Sequence, residues 1–182
     1  GMVRDGRYMP QIYNDEVMVP ALVSKGVAVE HARQYGLIGC HEPTICGMGY
    51  FRSASWPGYV CLQEWLELAL GDGVRLCCGT VVGPQTGDPA GLQTFEDLWA
   101  AFHAQMAAGV KRGVIAAHRG EAVKRTLTPR PMMSALTRGC IESGLDFTEG
   151  GALYNMSGFQ AFGIATCADS LHAIRKLVYQ EH

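Results

Sequence analysis

The sequence predicts a helix-rich α/β fold that forms part of a larger architecture. Two observations carry this expectation. Helical periodicity recurs along most of the 182 residues, broken by short apolar runs of strand length. Only two or three such runs accompany five or six helices, and so few strands cannot close a barrel by themselves. No internal repeat, low-complexity tract or domain boundary is visible, so residues 1–182 read as one domain.

The elements follow in order. Asn14 is a helix cap, with Asp15 and Glu16 in the first turn, where carboxylates suit the helix dipole. Pro20 kinks or shortens that helix. A second helix is predicted over residues 29–35, closed by Gly36. Leu37-Ile38-Gly39 reads as a buried strand that delivers Cys40 onto a long loop running to Gly58. Residues 61–70 place Leu62, Trp65, Leu66 and Ala69 on one helical face, and Gly71-Asp72-Gly73 ends the helix. Gly83-Pro84-Gln85-Thr86-Gly87-Asp88-Pro89 is turn punctuation. Thr94 and Asp97 have the spacing of a capping box and open a long helix that Pro129 stops. A further helix covers residues 132–143, with Pro131 in its first turn. Residues 161–165 suggest a short buried strand. Thr166 caps the last helix, which turns Leu171, Ile174, Leu177 and Val178 inward.

Composition excludes several classes. The apolar share of 48% is that of a globular protein, and the charged share of 18% is low enough to suggest surface meant to be covered. A net charge of −2 provides no basic field for nucleic acid and no polybasic membrane patch. No apolar run approaches membrane-spanning length, and Arg4, Asp5, Gly6 and Arg7 stand where a secretory signal needs apolar residues. The 7 cysteines are odd in number and include no CxxC pair. Their spacing matches neither a disulfide framework nor a structural zinc site, which points to reduced thiols in the cytoplasm and to no metal.

One short motif carries chemistry. Gly39-Cys40-His41-Glu42-Pro43 sets a thiol and a carboxylate two residues apart, before a glycine-rich stretch. In extended backbone, side chains at i and i+2 share a side. The sulfur can attack or abstract, and the carboxylate can move a proton. Cys40 and Glu42 are therefore the candidate catalytic residues, and His41 is read as a packing or hydrogen-bonding residue. A polar thiol enzyme with Cys40 as nucleophile fits the same motif, as does a non-catalytic protein that only folds and associates.

Several motifs in sequence give a more specific reading. They are Tyr13-Asn14-Asp15-Glu16-Val17, Ala32-Arg33-Gln34-Tyr35-Gly36, Gly39-Cys40-His41-Glu42-Pro43, Gly83-Pro84-Gln85-Thr86-Gly87-Asp88, Gly150-Gly151-Ala152-Leu153-Tyr154-Asn155 and Ala168-Asp169-Ser170-Leu171. In this order the chain resembles the C-terminal half of the glycyl radical enzymes, the pyruvate formate-lyase-like family, in its dehydratase and lyase branch. The resemblance implies part of a ten-stranded β/α barrel with a cysteine loop projecting inward. It implies that Cys40 becomes a thiyl radical that abstracts hydrogen from a small hydroxylated substrate. It also implies that Glu42 handles the adjacent hydroxyl, and that burial raises the basicity of such a carboxylate toward the working pH.

The resemblance further implies that the chain itself binds no cofactor. The family's radical resides on a protein glycine and is installed by a radical S-adenosylmethionine iron–sulfur activase. No radical-glycine motif follows Leu171, so the 182 residues read as a fragment without turnover of its own. The expected partners are a small-molecule substrate, the activase for the full-length protein and further copies of the chain. His41 in place of the usual valine, and Ala54 where diol dehydratases carry an aspartate, weigh against glycerol or a simple diol as substrate. The adjacent Cys77-Cys78 pair lies outside the matching motif and does not indicate the pyruvate formate-lyase subclass itself.

Overall fold

A computed structural model describes residues 4–5, 12–39, 42–52 and 59–181, with backbone alone for Arg52 and Tyr59. Its elements run α1 (Asp15–Val23), α2 (Val29–Ala32), β1 (Tyr35–Ile38), β2 (Glu42–Ile45), β3 (Gly49–Arg52), β4 (Tyr59–Cys61), α3 (Leu62–Leu70), β5 (Val74–Arg75), β6 (Thr80–Val81), α4 (Phe95–Leu127), α5 (Pro131–Ala135), α6 (Cys140–Ser143), β7 (Tyr154–Ser157), β8 (Gln160–Phe162) and α7 (Ile164–Ile174). The strands form four two-stranded sheets, β1–β2, β3–β7, β4–β8 and β5–β6. The chain divides into two compact units, Gly1–Phe51 with Thr128–Met156, and Arg52–Leu127 with Ser157–His182.

In the first unit, the Asn14 side chain accepts a hydrogen bond from the Glu16 N–H at 2.9 Å, as the capping signal predicts. Pro20 sits inside α1, which stops at Val23. The predicted 29–35 helix closes at Ala32 instead, and Gly36 is a strand residue. The β1–β2 hairpin is antiparallel, with Tyr35 opposite Ile45 and Ile38 opposite Glu42. Ile45 is fully buried in a core with Leu22, Val27 and Ala32. That burial fixes the register, because a slip by one residue would turn Ile45 out to solvent. Tyr35, on the same face, donates its hydroxyl hydrogen to Asp15 Oδ1 at 2.7 Å and ties β1 to α1.

Leu37 and Ile38 are half exposed, not buried, because the strand lies on a two-stranded hairpin. The predicted loop after Cys40 contains β2 and β3. The predicted 132–143 helix is two short helices, parted near Gly139 at φ +101°. A Cβ at Gly139 would lie 2.6 Å from the Leu153 nitrogen, so only glycine lets these segments approach. Asp146 anchors the region by accepting from Arg130 N, Ser134 Oγ, Thr148 N and Thr148 Oγ1 at 2.6–2.9 Å.

In the second unit, Trp65, Leu66, Leu68 and Ala69 of α3 pack with Leu98, Ala101 and Phe102 of α4 and with Leu171 of α7. Thr94 caps α4 as expected: Asp97 N–H donates to Thr94 Oγ1 at 3.1 Å, and Thr94 N–H donates to Asp97 Oδ2 at 2.9 Å. β4 and β8 run parallel, with Val60 opposite Ala161. Such parallel pairs are sheet-core units that need a crossover connection, here containing α3 and α4. The turn motif at 83–88 is held from two sides. Asp72 Oδ1 accepts from the N–H groups of Thr86 and Gly87 at 2.6 and 2.7 Å, and Gln105 Nε2 donates to Pro84 O at 2.8 Å.

The last helix begins after Gly163, at φ +76°, not at Thr166. Leu171 is buried as expected, whereas Leu177 and Val178 are each 54% exposed. The predicted strand at 161–165 is three residues long, Gln160–Phe162, before α7 begins at Ile164. No helix of the described residues is long and apolar enough to cross a membrane.

Candidate active site

Of the two predicted catalytic residues, Cys40 lies outside the described residues, as do His41 and Ala54. Glu42 is described. It is the first residue of β2, paired with Ile38 across the hairpin, and only 5% exposed. The hairpin is therefore zipped up to the residues flanking a tip of three, 39–41. Gly39 turns the chain there at φ +63°, and its Cα faces the Glu42 carboxyl: an added Cβ would lie 2.8 Å from Oε2. The dihedral favours glycine at this position.

Alternation along β2 sends Pro43 and Ile45 to one face and Glu42 and Thr44 to the other. Ile45 enters the core, so Glu42 and Thr44 share the opposite face. Thr44 is 5% exposed, and its hydroxyl has no hydrogen-bond partner among the described residues. An orphaned buried hydroxyl costs about 1–3 kcal/mol. Gly36, opposite Thr44, is covered by the Cys46 thiol: a Cβ on Gly36 would lie 2.5 Å from Cys46 Sγ. Glu42, Thr44 and Cys46 thus follow one another along one side of the strand, backed by Gly36, Gly39 and Gly49. Sequence reasoning missed Thr44. The signal available was the spacing of Glu42 and Thr44 in a strand, hidden because the segment reads as loop.

Two polar residues of the 150–155 motif make hydrogen bonds within the fold. Tyr154 accepts or donates through its hydroxyl at 2.7 Å from His31 Nδ1 and accepts from Ala28 N–H at 3.3 Å. Asn155 Nδ2 donates to Gly150 O and Ala152 O at 2.9 and 2.6 Å, holding the glycine turn. The second unit has a cavity of about 430 Å³ between α3, α4, β4 and β8, floored by Trp65 and Phe159 and edged by the Glu64–Arg75 ion pair. Glu42 is not among its lining residues. Among the described residues, no three His, Cys, Asp or Glu side chains cluster to hold a metal ion.

The helix-rich α/β fold that carries this hairpin is one that solved structures share. The chain superposes with a TM-score of 0.86 on the glycerol-bound form of the B12-independent glycerol dehydratase from Clostridium butyricum, at 36% identity, covering 98% of this chain and 22% of that one. It superposes with a TM-score of 0.84 on a glycyl radical enzyme from Archaeoglobus fulgidus, at 31% identity, covering 92% and 21%. In sequence it is 34% identical over 181 residues to the (2S)-3-sulfopropanediol dehydratase of Klebsiella oxytoca, covering 98% of this chain and 21% of that protein.

The chain belongs to the pyruvate formate lyase-like family, whose model matches residues 1–182. Its fold is a portion of the β/α barrel of the glycyl radical enzymes. It spans about one fifth of the length of these relatives.

Proposed function

We propose that this chain carries the cysteine-loop portion of a glycyl radical dehydratase or lyase acting on a small hydroxylated substrate. The observation that supports this most is the burial of Glu42 at the foot of the tip that contains Cys40. A surface carboxylate would exchange protons with water; a buried one exchanges them with whatever occupies the site. In the family-length protein, a glycyl radical installed by a radical S-adenosylmethionine activase would take the hydrogen atom of the Cys40 thiol, leaving the unpaired electron on sulfur and a C–H on the glycine. The sulfur then takes a hydrogen atom from a substrate C–H next to a hydroxyl. Glu42 accepts the proton of that hydroxyl, which helps the neighbouring C–O, C–N or C–S bond break. When the leaving group is hydroxide, Glu42 returns the proton to it and water departs. The Cys40 thiol gives its hydrogen atom back to the product carbon. Thr44 adds a buried hydroxyl to the face that carries Glu42, suited to hold a substrate oxygen.

The isolated 182 residues catalyse no turnover on this reading. The test uses the family-length protein, activated anaerobically and supplied with a panel of small diols, hydroxysulfonates and hydroxylated amino acids. Product is expected from the parent protein. Cys40→Ser is expected to abolish product while the glycyl radical signal in electron paramagnetic resonance persists. Product formation by the Cys40→Ser protein would overturn the assignment.

A further inference from the structure

The turn between β5 and β6 carries chemistry that the Glu42 site does not use. Val74 pairs with Val81 and Arg75 with Thr80, so residues 76–79 form the tip of a short hairpin. Cys77 and Cys78 sit on that tip, both exposed and both free thiols. The Cys78 thiol donates to Thr80 Oγ1 at 3.3 Å. Arg75, on the strand that leads into the tip, is a nearby positive charge.

These contacts divide the pair. Hydrogen bonding with the Thr80 hydroxyl and N–H, with help from Cys77 and Arg75, lowers the pKa of Cys78. Donation to Cys78 raises that of Cys77. A thiol held below its ordinary pKa and one held above it therefore stand on neighbouring residues in solvent.

We propose that Cys77 and Cys78 form a thiol–disulfide exchange site for low-molecular-weight disulfides, in which Cys78 attacks and Cys77 resolves. The Cys78 thiolate attacks one sulfur of the small disulfide, breaks its S–S bond and releases one thiolate. Cys77 gives its proton to solvent, attacks Cys78 Sγ and expels the second thiolate. Two protein thiols are oxidised and one small disulfide is reduced to two thiols. Adjacent Cα atoms are about 3.8 Å apart across a trans peptide, shorter than the roughly 4.4–6.8 Å that disulfides prefer. The ring is therefore strained and reopens readily with excess thiol, which makes the site reversible.

The experiment treats the 182-residue chain with oxidised glutathione near neutral pH and reads tryptic peptides by mass spectrometry. Residues 76–111 fall on one peptide whose only cysteines are Cys77 and Cys78. That peptide is expected to lose two hydrogens, and dithiothreitol to restore them. Cys77→Ser is expected to stop at a mixed disulfide on Cys78. Cys78→Ser is expected to react roughly fivefold or more slowly. Exposed Cys46 serves as the internal reference and is expected to react more slowly than Cys78. The proposal is overturned if Cys46 reacts first, if the parent chain stops at the mixed disulfide, or if Cys78→Ser reacts at the parent rate. Both positions are exposed, and unchanged circular dichroism checks that the variants fold.

Discussion

Glu42 and Asp146 are both carboxylates, and they stand in different surroundings. Glu42 is buried on the face of β2 that also carries Thr44, and Glu42→Gln keeps its size while removing a titratable carboxyl. In the activated family-length protein this substitution is expected to lower kcat by roughly 10²–10⁴, with the glycyl radical signal retained. Thr44→Val, measured the same way, is expected to raise KM more than it lowers kcat, with Thr44→Ser restoring KM. Asp146 is structural. Desolvation would raise its pKa, but hydrogen bonds from Thr148, Ser134 and Arg130 outweigh it and hold the carboxyl well below its ordinary range. A depressed folded-state value means that the stabilisation is complete above the unfolded value of about 3.9 and is lost as pH falls through the folded value. Asp146→Ala is therefore expected to cost about 1–3 kcal/mol at neutral pH in urea denaturation. The difference from the parent chain should shrink in strong acid.

Elements with local signals follow the sequence. The Asn14 cap of α1, the apolar face of α3 and the Thr94–Asp97 box of α4 each depend on residues within a turn or two of one another. Thr94→Ala is expected to destabilise the second unit by about 1 kcal/mol, read as a lowered thermal midpoint. Elements set by distant contacts were not legible. Gly36 reads as a helix stop, yet it is a strand residue whose missing Cβ makes room for the Cys46 thiol. Gly139 divides a predicted helix because the 151–153 backbone lies against it. Gly163 displaces Thr166 as the start of α7, with the Gln63 side chain packed on its Cα. In the candidate site, the cysteine and glutamate were visible because they are near neighbours in the chain. Thr44 was not, because the lack of a partner for its hydroxyl is a property of packing alone.

At the scale of the molecule, every sheet among the described residues has two strands, so each strand has an unpaired edge. A parallel pair such as β4–β8 is ordinarily covered on both faces. Large apolar side chains also stand open in both units, among them Leu136 at 74%, Ile141 at 73% and Leu76 at 67% exposed. Open edges and apolar surface favour association. The 182-residue chain is expected to elute as an oligomer in size-exclusion chromatography with light scattering, and a monomer at micromolar concentration would contradict this. The hairpin zipped as far as Ile38 and Glu42 has its own consequence. A connector of three residues acts as a ruler: on the proposed reading, it limits how far along the chain Cys40 can stand from Glu42, whatever molecule arrives. On that reading the choice of substrate falls to walls outside this hairpin.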